Sequence, residues 1–598
     1  MKQFWVTFFG SIVGVLIGSI LTVVLAVFLI AGLISSAAMQ ASNAPAQISG
    51  PVVLELDLRE ARSDQPSRSP FAYTQPLSVV DTVLTLENAI EDNNVKGVLV
   101  RANEYGMSPA SAEEIRTALA KVSASGKFVI AHAQGFEGTG VTNYFAVSGA
   151  DEIWLQDTAN FAAVGMATET MFLGGLFEHF GAVPQFVQFY EYKNAANVYT
   201  QSDFTEAHRE ATLSLLGSLF DTLVATSAQD RDQSESAMRN IIVNGPYSAE
   251  QAQQNGLVDQ LGHVAAARHA ARERAGKNAQ IVDIETYASQ QAAHSAHVSN
   301  LPVIALVEGE GAIMTGQSSA GGFSNQASIG GDTLAEAIDA AVEDKDVRVI
   351  ILRVNSPGGS AIASDQIWDA VVRAREAGKP VIISMGSLAA SGGYYIAAPA
   401  DLIIANATTI TGSIGMLSGK IVTDPALNRI GLNTESIHVG GDYATVYSSA
   451  DLWTPEQAQA FYTLAEDVYE DFTQKVADGR DLPLAEVQNI ARGRVWTGQQ
   501  ALEHGLVDRI GGISTAIEAA KEIANLDADD DVALRRFPRQ LTPFEAFQSL
   551  FGASVEGAQS ATELRQLMQL PEVQAALEMR NRMSQPGTQL YAPVDDVH

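Results

Sequence analysis

The sequence contains no cysteine among its 598 residues. Disulfide bonds, thiolate nucleophiles and cysteine-ligated metal sites are therefore excluded. Positive charge is also scarce, because 37 Lys and Arg stand against 69 Asp and Glu, which gives a formal charge of −32. Nucleic-acid binding needs clustered basic side chains to neutralise phosphates, so this composition argues against it. No cofactor and no metal ion is expected.

Charge is also missing from the N-terminus, where no charged residue follows Lys2 until Glu55 and Phe4 to Ile34 is almost continuously apolar. About 20 apolar residues span a bilayer, so residues 1–45 are predicted to form a cytoplasmic stub and a transmembrane anchor. The alternative is a cleaved signal peptide, but the apolar core of such a peptide has only about 7 to 15 residues. Lys2 and the start amine place the N-terminus in the cytoplasm and the rest of the chain outside it.

The remainder of the sequence contains an internal duplication. Gly97 to Asn103 (GVLVRAN) corresponds to Val349 to Asn355 (VIILRVN), 252 positions later. The order of the matches is kept as far as Gly256 to Asp259 (GLVD), which recurs at Gly505 to Asp508, 249 positions later. Colinear matches with so small a net gap indicate two copies of one unit.

The predicted organisation after the anchor is an N-terminal repeat (46–289), a polar linker (290–301), a C-terminal repeat (302–525) and a helical tail (526–598). Within each repeat, short runs rich in Val, Ile and Leu alternate with stretches whose apolar residues recur at i, i+3, i+4 and i+7. Continuous apolar strands separated by amphipathic helices are typical of a parallel sheet covered by helices. The predicted fold class is therefore α/β, with two tandem repeats of parallel βαβ units after one transmembrane helix.

The differences between the copies indicate where the chemistry lies, because each copy is a structural control for the other. Ser391-Gly392-Gly393 follows the strand KPVIISM, whereas Val141 stands opposite Ser391 in the first repeat. Ser356-Pro357-Gly358-Gly359 follows the strand VIILRVN, and Met107 stands opposite Gly359. A single glycine pair more often makes a tight turn, but two such turns at the C-terminal ends of parallel strands suit a ligand site. A serine at this position could act as an exposed nucleophile, and the backbone N–H groups beside it could bind an oxyanion.

The runs SLAASGGYYIAAPAD, RVNSPGGS and TGSIG resemble the signal peptide peptidase A (protease IV) family, which belongs to the Clp protease and crotonase superfamily of folds. The resemblance covers both repeats and the N-terminal membrane segment. It implies a dyad of Ser391 as nucleophile and Lys193 as general base, with the lysine supplied by the N-terminal repeat. It further implies that Ser413 hydrogen-bonds the lysine amine and orients it. The backbone amides of Gly392 and Gly359 are predicted to form the oxyanion hole, Gly359 by the same resemblance.

The residues around Lys193 suit that role. The equivalent stretch of the second repeat, Glu435 to Ala450, contains no lysine, so each copy holds one half of the dyad. Aromatic residues at 186, 189, 190 and 192 precede Lys193, and an apolar surround would lower its pKa from about 10.4 towards the roughly 7 to 8 useful for a general base. None of the ten histidines sits in a motif that nominates it, which leaves a Ser–His pairing open.

The resemblance implies hydrolysis of apolar, extended peptides, including signal peptides left in the membrane after preprotein processing. It places the enzyme in a bacterial inner (plasma) membrane as a single-pass protein, with its catalytic part on the periplasmic or extracytoplasmic side, and implies a dome-like homotetramer. Two other classes of function remain open from the sequence. A crotonase-like acyl-CoA enzyme would share the βαβ unit and the oxyanion hole without needing Ser391, and a non-catalytic membrane scaffold would use the duplication only for assembly.

Overall fold

The computed structural model describes residues 50–66, 76–104, 106–137, 141–295, 301–319 and 327–539. The predicted transmembrane segment, 4–34, lies outside the described residues. Among the described residues, the helix Glu206–Asp230 is long and apolar enough to cross a membrane by length and composition. Its residues Leu223, Val224 and Ala228 belong to a buried hydrophobic cluster of the folded part, which accounts for this apolar character.

The strands and helices of the first repeat alternate along the chain, as the sequence predicts. The strands are β1 (Val52–Asp57), β2 (Val95–Arg101), β3 (Phe128–Ala133), β4 (Glu152–Leu155), β5 (Asn160–Phe161), β6 (Val183–Phe189), β7 (Tyr247–Ser248), β8 (Gln260–Leu261) and β9 (Gln280–Asp283). The helices are α1 (Val79–Glu91), α2 (Pro109–Ala124), α3 (Val141–Phe145), α4 (Gly174–Phe180), α5 (Asn197–Thr200), α6 (Glu206–Asp230), α7 (Glu235–Val243), α8 (Ala249–Gln254), α9 (Val264–Ala275) and α10 (Ile284–Ser295).

The second repeat follows the same alternation. Its strands are β10 (Val303–Glu310), β11 (Ala312–Met314), β12 (Ser328–Gly330), β13 (Val347–Ser356), β14 (Val381–Ala390), β15 (Leu402–Ala405), β16 (Ile410–Gly412), β17 (Met416–Val422), β18 (Val495–Thr497), β19 (Arg509–Ile510) and β20 (Ala533–Phe537). Its helices are α11 (Gly331–Glu343), α12 (Ala361–Glu376), α13 (Gly392–Ala397), α14 (Asp424–Asn428), α15 (Pro455–Arg480), α16 (Leu484–Ile490), α17 (Gly498–Glu503) and α18 (Ile513–Ile523).

The duplication is visible in the strand order of the two sheets. Six strands of the first repeat form a parallel sheet in the order β8-β4-β3-β2-β1-β9. The second repeat has the same order as β19-β15-β14-β13-β10-β20, and the antiparallel pair β16 and β18 extends this sheet beside β14. The prediction of an α/β fold with two tandem repeats and parallel sheets is therefore confirmed.

Residues that match between the copies have the same structural role in both. Asp151 accepts a hydrogen bond from a backbone N–H of β3 at 2.7 Å, and Asp401 accepts one from β14 at 2.8 Å. The hydroxyl groups of Tyr144 and Tyr394 donate to carbonyl oxygens of the two GLVD segments at 2.9 and 2.8 Å. These hydrogen bonds fix strand ends and turns, so the residues have a structural role in both copies whether or not the copy carries chemistry.

The two repeats share one hydrophobic core and stack head to tail. Helices α1 and α2 of the first repeat pack against α18 and β14 of the second, and Ile304 and Ile513 lie in the same buried cluster as Leu86 and Ile115. The counterpart of α18 in the first repeat is α9, which covers the opposite face of its own sheet. The layers therefore follow the order α9, first sheet, α1 and α2 with α18, second sheet, α11 and α12.

A buried ion-pair network crosses the interface between the repeats. The side chain of Arg353, in β13, is 1% exposed and donates to Asp64 at 2.9 Å and to Glu114 at 2.7 Å, both from the first repeat. Glu114 also accepts hydrogen bonds from the Asn406 amide at 2.9 Å and from the backbone N–H of Ile513 at 3.1 Å. Carboxylates of one repeat therefore satisfy buried donors of the other.

The repeat boundaries differ from the sequence prediction in two places. Helix α10 continues to Ser295 and so occupies the first half of the predicted linker, 290–301, because its Ala and Gln residues favour helix. The tail predicted to be helical from 526 contains strand β20, which pairs in parallel with β10 as β9 pairs with β1. The sequence of β20, ALRRF, contains two arginines and so lacks the continuous apolar run that marks the other strands. The tail from 540 lies outside the described residues.

Candidate active site

Lys193 lies four residues after the end of β6, a strand of the first repeat that pairs with a strand of the second. Strand β6 pairs antiparallel with β17 of the second repeat, ending with Phe189 opposite Met416. Phe189 is buried and stacks on Tyr469 of α15, with ring centroids 5.5 Å apart. The chain then turns, and the backbone N–H of Lys193 donates to the carbonyl of Tyr190 at 3.1 Å. This strand pairing brings the lysine of one repeat beside the other.

Ser391 lies between β14 and α13, at the C-terminal edge of the second sheet. Its backbone has φ 54° and ψ −118°, a conformation that non-glycine residues rarely adopt and that costs about 1–3 kcal/mol. The strand before Ser391 is longer than the apolar run KPVIISM that predicted it, because β14 continues to Ala390 and Ala389 pairs with Ser356 after a bulge. The turn is thereby confined to Ser391, and a strained junction between strand and helix exposes a hydroxyl at the sheet edge.

Three oxygen atoms of the second repeat surround the amine of Lys193. The Nζ atom lies 3.0 Å from Ser391 Oγ, 2.8 Å from the Ser413 carbonyl oxygen and 3.0 Å from Ser413 Oγ. A neutral amine has two N–H groups, which the two Ser413 oxygens can accept, and one lone pair. That lone pair is left to accept the hydroxyl hydrogen of Ser391, so this arrangement can remove the proton of a serine nucleophile.

Burial controls the protonation of this amine. Lys193 is 6% exposed, and burial without a compensating charge lowers its pKa from 10.5 to about 7. A large neutral fraction at neutral pH is what a general base requires. The aromatic run ahead of the lysine contributes unevenly to this burial, because Phe189 is buried whereas Tyr190 is 42% exposed.

Two glycine loops meet beside Ser391. A Cβ atom placed on Gly392 would lie 3.2 Å from the nitrogen of Gly359, and one on Gly358 would lie 2.6 Å from the nitrogen of Gly392. A Cβ on Gly359 would lie 2.1 Å from the carbonyl oxygen of Ile313, so this close approach requires glycine. Within the described residues, the N–H groups of Gly359 and Gly392 have no protein acceptor. Two free N–H groups beside a serine can bind a developing oxyanion.

These groups open into a cleft of about 560 Å³ between the repeats. The first repeat contributes Val198 and Leu215 to its wall, and the second contributes Leu417, Val468 and Phe472. Predominantly apolar walls accept apolar side chains. The walls of the cleft, like the pair of Lys193 and Ser391, are contributed by both repeats.

His208 lines the same cleft and bears on the Ser–His pairing that the sequence left open. Its ring packs against Phe172 and Phe204, with centroid distances of 6.0 and 4.7 Å. The Nδ1 atom of His208 is buried and has no hydrogen-bond partner among the described residues. The side chain of Ser391, in the described part of the chain, forms its hydrogen bond with Lys193. The geometry therefore groups Ser391 with the lysine.

Sequence reasoning missed the loop that packs on Lys193, Arg492-Gly493-Arg494. The backbone N–H of Tyr190 donates to the carbonyl of Arg492 at 3.1 Å. The backbone N–H of Ser413 donates to the carbonyl of Arg494 at 2.6 Å. One short loop thus contacts both the lysine segment and the serine that accepts hydrogen bonds from the amine.

Both repeats of the chain are similar to known proteins. Residues 121–278 and 373–527 each match peptidase family S49. The chain is 30% identical over 512 residues to "Serine protease SPPA, chloroplastic" of Arabidopsis thaliana, covering 84% of this chain and 74% of that protein. It is 29% identical to "Protease 4" of Haemophilus influenzae, over 76% of this chain and 74% of that protein. It is 31% identical to "Protease 4" of Salmonella typhi, over 76% and 73%.

The two family matches fall one in each repeat and together span more than half of the chain. The relatives named as serine protease or protease 4 align with both repeats over about three quarters of their own length. The chain therefore belongs to peptidase family S49, in the double-length form of signal peptide peptidase A, and is a serine protease.

Proposed function

We propose that the protein cleaves peptide bonds through an acyl-enzyme on Ser391, with Lys193 as the general base. The observation that carries this proposal is the 3.0 Å separation of Lys193 Nζ and Ser391 Oγ, atoms that lie in different repeats. The low exposure of the lysine supports a neutral amine, and the strained backbone of Ser391 supports an exposed nucleophile. A crotonase-like enzyme or a scaffold would need neither feature.

The proposed reaction has two halves. Neutral Lys193 takes the proton of Ser391 as Oγ attacks the scissile carbonyl, and the N–H groups of Gly392 and Gly359 bind the oxyanion. The ammonium group then gives that proton to the leaving amine, which departs and leaves an ester on Ser391. Lys193 then deprotonates a water molecule, which attacks the ester carbonyl; the carboxylic acid product leaves, and the ammonium group returns the proton to Ser391 Oγ. Throughout, Ser413 holds the amine through its two oxygen atoms.

The proposed substrates are apolar, extended peptides, among them signal peptides left after preprotein processing. The apolar walls of the cleft support the first part, and the similarity to signal peptide peptidase A relatives supports the second. We further propose that the segment Phe4–Ile34 anchors the protein in a bacterial inner membrane, with the cleft on the extracytoplasmic side. An anchor of this kind would hold the active site close to peptides released in the membrane.

A serine-directed probe tests the nucleophile. We expect a fluorophosphonate to modify one serine per chain, and peptide mass spectrometry to locate the adduct on Ser391. The variant Ser387→Ala, on the same strand, serves as the control and should be labelled like the wild type. Labelling that persists in Ser391→Ala, or an adduct on another residue of an active preparation, would refute the assignment.

We also propose a homo-oligomer assembled head to tail, a tetramer by the family resemblance. The stacking within one chain covers α18 with α1 and α2. Among the described residues, no element of the other repeat packs on their counterparts, which are α9 on the first repeat and α11 with α12 on the second. The net charges of these helices are opposite, because α9 carries Arg268, Arg272 and Arg274 against Glu273, whereas α11 and α12 carry seven acidic residues against Arg373 and Arg375. A second copy can therefore repeat the contact that already exists within the chain.

Sedimentation velocity tests this assembly. We expect the wild type to sediment as a tetramer, and the charge-reversed variant Arg268→Glu/Arg272→Glu to sediment as a monomer because it opposes acidic helices. The variant Arg239→Glu, on the exposed side of α7, is the control and should remain tetrameric. A wild-type monomer at micromolar concentration, or a tetramer in the charge-reversed variant, would contradict the proposed contact.

A further inference from the structure

The loop between α16 and β18 holds the residues just before Lys193. The guanidinium of Arg492 donates to both carboxylate oxygens of Glu191, at 3.0 Å each. The carbonyl of Arg492 accepts the backbone N–H of Tyr190 at 3.1 Å, and its guanidinium lies 5.4 Å from the centre of the Tyr190 ring. Side chain and backbone of one arginine therefore both bind the segment that leads to the lysine.

Arg494 holds the same segment from its other side. Its guanidinium lies 4.9 Å from the ring centre of Tyr192 and 4.4 Å from that of Trp496. It donates to both carboxylate oxygens of Glu210, at 2.8 Å each. The carbonyl of Arg494 accepts the backbone N–H of Ser413 at 2.6 Å. This residue thus connects the lysine segment, α6 and the serine whose oxygens face the amine.

Gly493, between the two arginines, lies directly against Lys193. A Cβ atom placed on Gly493 would lie 2.5 Å from the Cβ of Lys193 and 2.6 Å from its backbone N and Cα atoms. The backbone of Gly493 has φ +79°, in the left-handed region that favours glycine. Its N–H donates to the carbonyl of Ile414 at 2.8 Å. The position therefore has no room for a side chain unless the lysine moves.

The first repeat serves as a control for this loop. At the positions 249 residues earlier, Val243, Asn244 and Gly245 stand in place of Arg492, Gly493 and Arg494. The following turns are built alike, since Ser248 and Thr497 both cap their helices through a capping box. The arginines are therefore not needed to form the turn, and they occur in the copy whose loop faces the lysine.

We propose that Arg492-Gly493-Arg494 is a clasp that positions the Lys193 segment against Ser391 and Ser413 and keeps water away from the amine. This inference rests on the proposed function of Lys193 as general base. The three clasp residues are positioning residues, because the groups that face the reacting atoms are those of Lys193, Ser391 and Ser413. Two planar guanidinium groups, each bidentate to a carboxylate and stacked on a ring, fix orientation in a way that lysine cannot reproduce.

The variant Gly493→Ala tests the clasp. We expect kcat at pH 7 to fall about 100-fold, since a displacement near 1 Å at a catalytic group has that effect. We also expect the acid limb of the pH profile of kcat/KM to move to higher pH, because water that reaches the amine raises the pKa of Lys193 from about 7 towards 10.5. KM should change less than kcat, because Gly493 lies at the lysine end of the cleft and the apolar side chains of its walls, such as Leu215, Val468 and Phe472, are not replaced.

The matched control is Gly378→Ala, at a glycine with φ +78° and no atom within 4 Å of the added Cβ. It introduces the same backbone strain without the contact on Lys193, so its activity and pH profile should equal those of the wild type. Arg494→Ala and Arg494→Lys provide a second test that needs no new atom in the packed loop. Both should shift the acid limb in the same direction, and lysine should not rescue the shift.

The outcomes separate the clasp from the proposed function. If Lys193→Met retains activity, the general-base assignment is wrong and the clasp has nothing to position. If Lys193→Met is inactive while Gly493→Ala and Arg494→Ala keep the wild-type acid limb, the clasp is wrong and the dyad stands. A shift in Gly378→Ala equal to that in Gly493→Ala would likewise overturn the clasp, because strain alone would then explain it.

Discussion

Replacement of Lys193 by methionine is expected to lower kcat/KM for an apolar peptide by about 10⁴-fold or more, to the level of Ser391→Ala. Methionine fills similar space but has no lone pair to accept the serine proton. Because the lysine is 6% exposed, little room is left for water to replace the amine as base. Peptide hydrolysis with purified variants measures this loss, and circular dichroism verifies that the fold is retained.

The double variant Lys193→Met/Ser391→Ala should be no less active than either single variant. Residues that act as one catalytic unit give strongly non-additive losses, since the first removal already abolishes the step they share. Lys420→Met is the matched control, because Lys420 is also a mostly buried lysine and its amine donates to a backbone carbonyl, that of Asp451, at 2.6 Å. Additive losses, or more than a tenth of wild-type activity in Lys193→Met, would contradict the dyad.

Lys193 is also expected to set the pH dependence of activity and to contribute to that of stability. Activity should rise with pH through about 7, where the buried amine becomes neutral. Burial lowers the folded-state pKa below the unfolded value, so the unfolded chain binds more protons between about 7 and 10.5. The contribution of Lys193 to the free energy of unfolding therefore rises with pH across that window and is constant below it. Lys193→Met should lack this rise and should be more stable than the wild type at pH 7 in denaturant titrations.

Much of the fold could be predicted because the sequence contains the same series of strands in both repeats. The apolar runs that form β10, β13, β14 and β15 are long enough to read as strands, and their counterparts in the first repeat recur in the same order. The matched residues Tyr144 and Tyr394 make the same hydrogen bond in both copies. Strand β20 was not predicted because two arginines interrupt its sequence, ALRRF, and it is recognised as a strand by its pairing with β10.

Residues of the candidate site could be nominated from the sequence only where the copies differ in residue type. Ser391 against Val141 is such a difference, and the resemblance supplied Lys193 as its partner. The positive φ of Ser391 and the clasp were not found, because the first is a backbone property and the second depends on residues about 300 positions apart in the chain. The sequence treats Arg101 and Arg353 as equals, yet only Arg353 meets carboxylates from the other repeat.

The substitution Arg353→Met is expected to lower the free energy of unfolding by about 3 to 5 kcal/mol, because it leaves the buried carboxylates of Asp64 and Glu114 without their cation. Arg101→Met is the matched control, since Arg101 is also buried and its described side-chain hydrogen bond goes to the neutral Gln134. Its loss should be no more than about 1.5 kcal/mol. Denaturant titration followed by fluorescence and circular dichroism measures both.

The network also links the two repeats that contribute to the proposed active site, so Arg353→Met should change the order in which activity and structure are lost as well as the unfolding midpoint. In the wild type, peptidase activity and secondary structure should be lost together, because α1, α2 and α18 belong to one core. In Arg353→Met, activity should disappear at a lower denaturant concentration than secondary structure, since separation of the repeats moves Lys193 away from Ser391 before either sheet unfolds.

The triple variant Arg353→Met/Asp64→Asn/Glu114→Gln should regain part of the lost stability, because the uncompensated charges are then gone. Coincident loss of activity and structure in Arg353→Met, at the wild-type midpoint, would show that the network does not couple the repeats.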